Sequence, residues 1–426
     1  MSSTTLRYAA RFQCIGSDCE DTCCAHAWRV KLDRPDYDRL KRAVANSAEE
    51  RERFERGCKR TAEVSGGDGS YAALQWTPAG QCVFLTPDHL CSIHQVHGPA
   101  ALPKVCVTYP RLVSKIGHHV TATDALSCPE AARLCLLAED AVEVEAARPE
   151  TLRGFLVRRQ APASREDPLF RHFLAVRGAF LAVLGARDYP LASRLCFAAH
   201  LARRFDAARG ESGRRAQDAA VHRAIRAGGS AGTLAARDRA CRAERVSGAL
   251  PFVLVQRILM AVLLRHSPGR FAALVEEIYA PYLDEEGEGH RLRGGELWQT
   301  YRVRRREWQG RFADRIAQYI GNYAANYFMR EPFTVAPDLQ THVLHLLARV
   351  AAIRFLLFNH PALQALAAST SSRPLREQAL DRAVVDVVYS FSRTLEHNEG
   401  LRELLQGLLR EFRVKGVRQV PELARF

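Results

Sequence analysis

Cys14-Ile-Gly-Ser-Asp-Cys19-Glu-Asp-Thr-Cys23-Cys24 places four thiols within eleven residues near the start of the chain. Adjacent cysteines such as Cys23 and Cys24 rarely meet the geometry that a disulfide between them would need. Thiolates at this density are typical of a metal site, because bound iron or zinc offsets their mutual repulsion. The stretch therefore predicts a cysteine-rich head built around metal.

Four further cysteines follow in short segments that contain Pro, Phe or His. We treat the eight as one ligand system: Cys14, Cys19, Cys23, Cys24, Cys82, Cys91, Cys106 and Cys128. A [4Fe-4S] cluster takes four ligands, usually thiolates. Eight thiols suffice for one cluster plus zinc, for two clusters, or for one cluster with spare structural cysteines. The metal is either purely structural or takes part in chemistry or substrate binding, and the sequence leaves both open.

Other residues near the cluster are weaker candidates. His94 has ligand-like spacing from Cys91, but a hydrogen bond to a cluster sulfur or a surface role fits as well, and the same holds for His26. His26 also stands where the Cys-x3-Cys-x2-Cys loop of radical S-adenosylmethionine enzymes would have its third cysteine, so that mechanism is unsupported. The remaining thiols are predicted to be small buried side chains: Cys58, Cys135, Cys196 and Cys241.

Composition limits the class of protein. The chain has 426 residues, 47% hydrophobic and 25% charged, which suits a globular protein of two or three domains. Residues 1–11 lack a signal-peptide pattern, and polar residues interrupt the apolar stretch 250–264, so we expect no membrane segment. Cysteines in a chain without an export signal favour a reducing compartment, and we expect a cytoplasmic location.

The net charge of +14 raises the question of a nucleic-acid partner. The arginines are scattered, and the densest run, residues 302–311, lies in a helix-like stretch with Glu307 and Trp308. A solvated face or a docking surface for an acidic partner is therefore favoured over a phosphate-binding tract.

The predicted fold is mainly α, with a cysteine-rich metal-binding head that contains a short β-hairpin, followed by an all-helical body. Ten of the twelve cysteines precede residue 140, which places the head at 1–140 and the body at 141–426. Within the head, a short strand should start near residue 28, a polar helix should run through 36–44 and a loop should cover 64–70. The apolar runs 81–85 and 90–94 predict the hairpin that presents Cys82 and Cys91.

The body is expected to consist of amphipathic helices. Pro129 should begin the first, and Asp338 should precede another. Apolar residues repeat at helical spacing in four stripes: Phe173 to Leu184, Phe312 to Tyr327, Leu339 to Leu357 and Leu380 to Leu395. Segment 207–248 is either a mobile insertion or a solvated helix pair. Asn322 and Asn326 share one helix face, either in a core helix or as the wall of a substrate pocket.

Several of these motifs occur together in one known family. Phe12-x-Cys14-x4-Cys19-x3-Cys23-Cys24, Cys82-Val-Phe-Leu, Leu90-Cys91-Ser-Ile-His94, Cys106-x2-Tyr-Pro-Arg111 and Ser127-Cys128-Pro129-Glu130 resemble the flagellin lysine N-methylase family. The likeness is strong over residues 7–137 and diffuse beyond, where Asn322-Tyr323-x2-Asn326-Tyr327-Phe328 is similar to that family's Asn-Tyr helix. Tyr109 departs mildly from the Phe that is more usual before Pro-Arg.

The resemblance implies methyl transfer from S-adenosylmethionine to lysine ε-amines of flagellin or a similar protein. It also implies an iron–sulfur cluster, with the eight cysteines as candidate ligands and zinc as the alternative metal. A lysine amine with a pKa of ~10.4 must lose a proton first, for which Asp124 and Glu130 are candidate acceptors. The donor pocket is not indicated, because Gly228-Gly-Ser-Ala-Gly232 lacks the flanking strand of a nucleotide fingerprint. The alternative hypothesis is a non-catalytic iron–sulfur or zinc scaffold or carrier.

Overall fold

The computed structural model describes residues 2–25, 30–60, 70–147, 157–159, 166–263, 269–286, 289–333, 337–367, 371–396, 400–412, 414 and 419–426. Its helices are α1 Arg7–Arg11, α2 Arg34–Ala43, α3 Ala48–Gly57, α4 Ser92–His97, α5 Lys104–Thr108, α6 Pro129–Leu137, α7 Pro168–Arg171, α8 Phe173–Leu184, α9 Leu191–Arg209, α10 Arg214–Gly228, α11 Ala231–Ala243, α12 Ala249–Leu263, α13 Arg270–Tyr279, α14 Gly294–Arg330, α15 Leu339–Phe358, α16 Pro361–Ala367, α17 Arg373–Phe391, α18 Gly400–Glu411 and α19 Gln419–Arg425. Its strands are β1 Ser2–Leu6, β2 Lys31–Leu32, β3 Cys58–Arg60, β4 Ala72–Leu74, β5 Arg111–Ile116, β6 His119–Asp124, β7 Val144–Ala146, β8 Val157–Arg159, β9 Leu283–Glu286 and β10 Gly289–Leu292.

A mixed sheet with the order β7-β1-β6-β5-β8 joins the start of the chain to residues 111–159. Strand β1 runs parallel to β6, with Thr4 beside Thr121, and antiparallel to β7. Parallel neighbours need a long crossover connection, and here that connection carries most of the cysteines. No sequence pattern predicted this sheet, because strands of three to six residues show too little alternation to identify.

The predicted hairpin of residues 81–94 is reduced to a closed turn. Leu85 and Cys91 form an isolated antiparallel bridge, and the Thr86 amide donates to the Leu90 carbonyl at 2.8 Å. No extended strand pair forms there within the described residues, so the head's β-structure lies elsewhere. It comprises the mixed sheet and the antiparallel sheet β2-β4-β3.

Two hydrophobic cores divide the molecule. The small one belongs to residues 30–102, which we call the lobe, and it comprises Leu32, Leu40, Val44, Phe54, Cys58, Ala72, Leu74, Cys82, Phe84, Ile93 and Ala101. The large one unites β1, α1 and α6 with the helices after residue 167. A boundary at residue 140 stays a prediction, but the apolar cores separate the lobe rather than the whole head from the body.

The helical predictions for the body are confirmed where the apolar stripes are long. Val176 and Phe180 are buried on α8, and the buried faces of α14, α15 and α17 follow the predicted spacing. Asp338 caps α15, accepting from the Thr341 amide at 2.6 Å. Helix α15 is long and apolar enough to cross a membrane, but 94% of its apolar window is buried inside the protein, as in a core helix.

The all-helical description of the body is wrong at three places, since β7 and β8 follow residue 140 and β9 pairs with β10. Segment 207–248 contains α10 and α11, so the helix-pair alternative describes it, with Val221 and Ala224 buried. In the head, β2 and α2 confirm the predicted strand and polar helix, which Asp33 caps. The predicted loop 64–70 falls almost wholly outside the described residues.

Candidate functional site: the cysteine cluster and its junction with the body

The first four cysteines lie in an irregular loop between α1 and the lobe. The Cys82 amide donates to the Cys24 carbonyl at 2.8 Å, which ties this loop to the lobe. Cys128 occupies the N-cap of α6, where Pro129 begins the helix as predicted. Cys82 and Cys128 are buried, whereas Cys14 and Cys23 are exposed. The fold thus brings loop, lobe and α6 together at one junction.

Electrostatic coupling shows which thiols share a neighbourhood. Burial raises the pKa of Cys128, and the charges of Cys19 and Cys23 raise it further. A charge on Cys14 in turn raises the pKa of Cys19. A charge on Cys23 contributes to the raised pKa of five other thiols in the group: Cys24, Cys82, Cys91, Cys106 and Cys128. All eight predicted cysteines are therefore linked through Cys23 or Cys19.

Among the thiols of this group whose pKa is shifted, only Cys23 has a lowered pKa. The hydrogen bond with Cys24 lowers the pKa of Cys23 to about 7. The same bond raises the pKa of Cys24. Burial raises the pKa of Cys82 to about 11. Without a cation most of these thiols are protonated at neutral pH, and a bound metal would deprotonate them.

The donor chemistry of the site suits iron or zinc, because both favour soft thiolate ligands. In the described part of the chain, no three Cys, His, Asp or Glu side chains converge closely enough to hold a metal ion. The ligand assignment of the eight cysteines accordingly stays a prediction. His94 is exposed on α4, and His26 lies outside the described residues. Of the cysteines expected to be buried, Cys58, Cys135 and Cys241 are, and Cys196 is partly so.

Arg393, which no sequence pattern indicated, connects the body to the cysteine loop. It lies in the π-helical turn Ser392–Glu396 after α17 and is only 9% exposed. Its Nη1 is 2.8 Å from Asp21 Oδ2, and its Nε donates to the Ser127 carbonyl at 3.1 Å. This guanidinium charge also favours the thiolate forms of Cys19 and Cys23. The cysteine junction therefore contains a cation supplied by the body.

The two asparagines of α14 hold the junction from the other side. Asn322 Nδ2 donates to the carbonyls of Cys135 and Ala138 at 2.9 Å each, which satisfies the C-terminal end of α6. Asn326 Oδ1 accepts from the Tyr8 hydroxyl at 2.8 Å and from the Thr123 hydroxyl at 2.6 Å. Both amides are satisfied within the protein, as the core-helix interpretation predicts.

The two carboxylates considered as proton acceptors are placed differently. Asp124 is completely buried, and burial raises its pKa to about 6 although Arg111 lies 3.3 Å away. A lysine on another protein cannot reach it in this conformation. Glu130 is half-buried and pairs with Arg133. Neither carboxylate is presented to a protein substrate in the way that a base for methyl transfer requires.

The arginine-rich run 302–311 is divided between internal and exposed roles. Arg304 donates to Asn359 Oδ1 at 2.9 Å, and Arg305 donates to the Phe426 carbonyl at 2.9 Å. Arg302, Arg306 and Arg311 are exposed. Part of the positive charge that suggested a docking surface is thus used to hold the body together.

A model of a known protein family matches most of the helical body. A profile of the FliB lysine N-methylase C-terminal domain matches residues 177–423, more than half of the chain. This chain belongs to the FliB lysine N-methylase family. The resemblance to flagellin lysine N-methylases is confirmed, although the FliB profile covers the body whereas the cysteine order that suggested it lies in the head.

Relatives of this FliB-family chain are distant. The lysine-N-methylase of Salmonella typhimurium (strain LT2) is 26% identical over 145 residues, which is 33% of each chain. The flagellar biosynthetic protein FliU of Salmonella muenchen is 25% identical over 145 residues, which cover 33% of this chain and 79% of that protein. The match thus spans about a third of the length of the Salmonella typhimurium lysine-N-methylase. No solved structure matches the chain.

Proposed function

We propose that this protein is an S-adenosylmethionine-dependent protein-lysine N-methyltransferase that acts in the cytoplasm on lysines of flagellin or a similar protein. Membership of the FliB lysine N-methylase family supports the reaction class, and the names of the Salmonella relatives support the substrate. We also propose that the cysteines hold a [4Fe-4S] cluster, with zinc as the alternative metal. The observation that supports this part is the junction of the thiol-rich loop, the lobe and α6, where the Cys82 amide donates to the Cys24 carbonyl and Cys128 occupies the N-cap of α6.

Methyl transfer from the sulfonium to the lysine nitrogen needs no oxidant or reductant. The neutral lysine nitrogen attacks the methyl carbon of the sulfonium, the carbon–sulfur bond breaks, and the thioether leaves with the electron pair. The ammonium proton goes to a carboxylate, a tyrosine or water. When bound, the cluster supplies cationic metal centres that neutralise thiolates; the chain's own contribution is to hold the loop against α6 through Arg393 and Asp21.

The first experiment tests the metal and the reaction on one preparation. The full chain is purified without oxygen, analysed for iron, sulfide and zinc, and incubated with S-adenosylmethionine and flagellin. We expect about four irons and four sulfides per chain, loss of both in the Cys23→Ala/Cys24→Ala variant, and methylated lysines detected by mass spectrometry. Cys58→Ala is the matched control, because Cys58 is a buried thiol outside the predicted ligand set.

The outcomes separate the two halves of the proposal. Zinc without sulfide under all conditions would remove the iron–sulfur assignment and leave the methyltransferase. No saturable binding of S-adenosylmethionine and no lysine methylation by the metal-loaded chain would instead favour the non-catalytic scaffold.

A further inference from the structure

A cleft of about 430 Å³ lies where the head meets the body. Its walls come from the turn after α6, the C-terminal end of α8 and the middle of α14, and they include Val142, Leu181, Leu184, Ala317 and Asn322. This volume is within the range of small-molecule sites, which combine apolar walls with a few polar groups. The cleft contains none of the eight cysteines, so it is a separate site.

Arg194 forms the most unusual part of this cleft. It is 5% exposed, and its Nη1 and Nη2 donate to the carbonyls of Leu184 and Ala317 at 2.9 and 3.4 Å. Its Nε is buried without a hydrogen-bond partner, and no carboxylate of the described residues pairs with it. Burial accordingly lowers the pKa of Arg194. A buried guanidinium without a counter-charge is costly, and an anion that enters the cleft would supply the missing partner.

The opposite charge is found at the rim of the cleft. Glu139, Asp140 and Glu143 all line it. Asp140 pairs with Arg7 and Arg11, and Glu143 pairs with Arg7 at 2.5 Å. Glu139 is exposed, and its carboxylate has no partner among the described residues. The cleft therefore presents a buried cation and an anionic rim, with apolar side chains between them.

We propose that this cleft binds the amino-acid end of S-adenosylmethionine, with its carboxylate on Arg194 and its ammonium and sulfonium cations towards Glu139 and Glu143. The charges of this zwitterionic end match the cleft in sign, and the apolar walls suit the carbon chain between them. The inference rests on the proposed function, since it names the donor site of that reaction.

The placement separates the donor from Cys128. Helix α6 has Cys128 at its N-cap, and the cleft begins at Glu139 just past its C-terminal end. Nine helical residues span about 14 Å. A methyl group held in the cleft therefore lies beyond contact with Cys128.

Binding of two unreactive ligands tests the assignment. S-Adenosylhomocysteine keeps the amino-acid end, whereas methylthioadenosine lacks it. We expect the metal-loaded wild-type chain to bind the first about 10- to 100-fold more tightly by calorimetry, the strength of a charged hydrogen bond. Arg194→Met should abolish that ratio and leave methylthioadenosine binding unchanged. Arg177→Met is the control, since Arg177 is also buried but donates to Thr121 and Thr4.

A second variant keeps the test valid if Arg194→Met does not fold. Glu139→Arg alters an exposed rim residue and should weaken S-adenosylmethionine about 5-fold, with a smaller effect on the neutral thioether of S-adenosylhomocysteine. The cleft assignment would be overturned if Arg194→Met still preferred S-adenosylhomocysteine over methylthioadenosine as the wild-type chain does. It would also be overturned if Glu139→Arg bound S-adenosylmethionine with unchanged affinity. Either result would leave the proposed methyltransferase activity intact. A wild-type chain that binds neither nucleoside would overturn the proposed function itself.

Discussion

The lobe and the body reach stability by different means. The lobe contains strands of two or three residues and a small core of side chains such as Phe84 and Ile93. The body contains α14 of 37 residues and α15 of 20, and its core joins nearly every helix. Small cores supply little net stability, so small modules often depend on metal or other cross-links. Cys58, Cys82 and Cys91 lie within this small core or against it, and the loop with the first four cysteines is tied to the lobe by the Cys82–Cys24 hydrogen bond.

Truncating one aromatic side chain in each region should reveal this difference most strongly. Phe328 stacks on Phe180 with ring centroids 4.4 Å apart in the large core. We expect Phe328→Ala to lower the free energy of unfolding by about 3–5 kcal/mol, seen by circular dichroism in urea. Phe84→Ala should mainly open the lobe, detected as faster proteolysis within residues 30–102. Equal global losses in both variants would mean that the lobe and the body unfold as one unit.

Removing the buried carboxylate of Glu396 should be nearly as costly. Glu396 pairs with Arg330 and accepts from the Tyr323 hydroxyl at 2.8 Å. In Glu396→Ala, Arg330 keeps Glu331 at 3.2 Å but loses its buried partner. The loss should cost about 3 kcal/mol, whereas exposed Glu403→Ala should change little.

The pH dependence of Glu396 provides an independent check. Burial would raise its pKa, but Arg330 dominates and lowers it to about 2. The stability that Glu396 contributes is present above the unfolded-state value of about 4.3 and is lost as the pH falls towards 2. The wild-type protein should therefore lose more stability than Glu396→Ala over that interval, and parallel profiles would contradict the ion pair.

Asp124 should show the opposite dependence at the junction between head and body. Its pKa is raised to about 6 by burial, so the unfolded state releases the proton first as the pH rises. The wild-type chain should lose about 3 kcal/mol between pH 4 and 6 relative to Asp124→Asn. The measurement is the difference between two urea-unfolding profiles. A constant difference across this range would show that Asp124 is ionised in the folded protein.

Asn326 should give the smallest of these effects. Asn326→Ala leaves the hydroxyls of Tyr8 and Thr123 without their common acceptor in a buried setting. We expect a loss of about 2 kcal/mol. A double-mutant cycle with Tyr8→Phe isolates the bond, and additive losses would show that it contributes nothing.

Sequence patterns revealed those features that local spacing determines. The stripes on α8, α15 and α17 were predictable because long apolar periodicity identifies helices. The first four cysteines were recognisable because they are close in sequence. Pairing between β1 and β6 left no such signal, since the two strands are short and far apart in the chain. Arg393 was missed because its contact with the Asp21 carbonyl joins positions 372 residues apart.

Pairing of β1 with β6 also has a consequence for how the chain folds. The register of Thr4 with Thr121 closes a loop that contains every predicted ligand except Cys128. The entropic cost of closing a loop grows with the logarithm of its length. A metal that joined the first cysteines to Cys106 would shorten the loop that remains to be closed. It would thereby lower the free-energy cost of closure by about 1 kcal/mol. High contact order slows folding. Metal bound early would therefore speed formation of the sheet on which the body's core is completed.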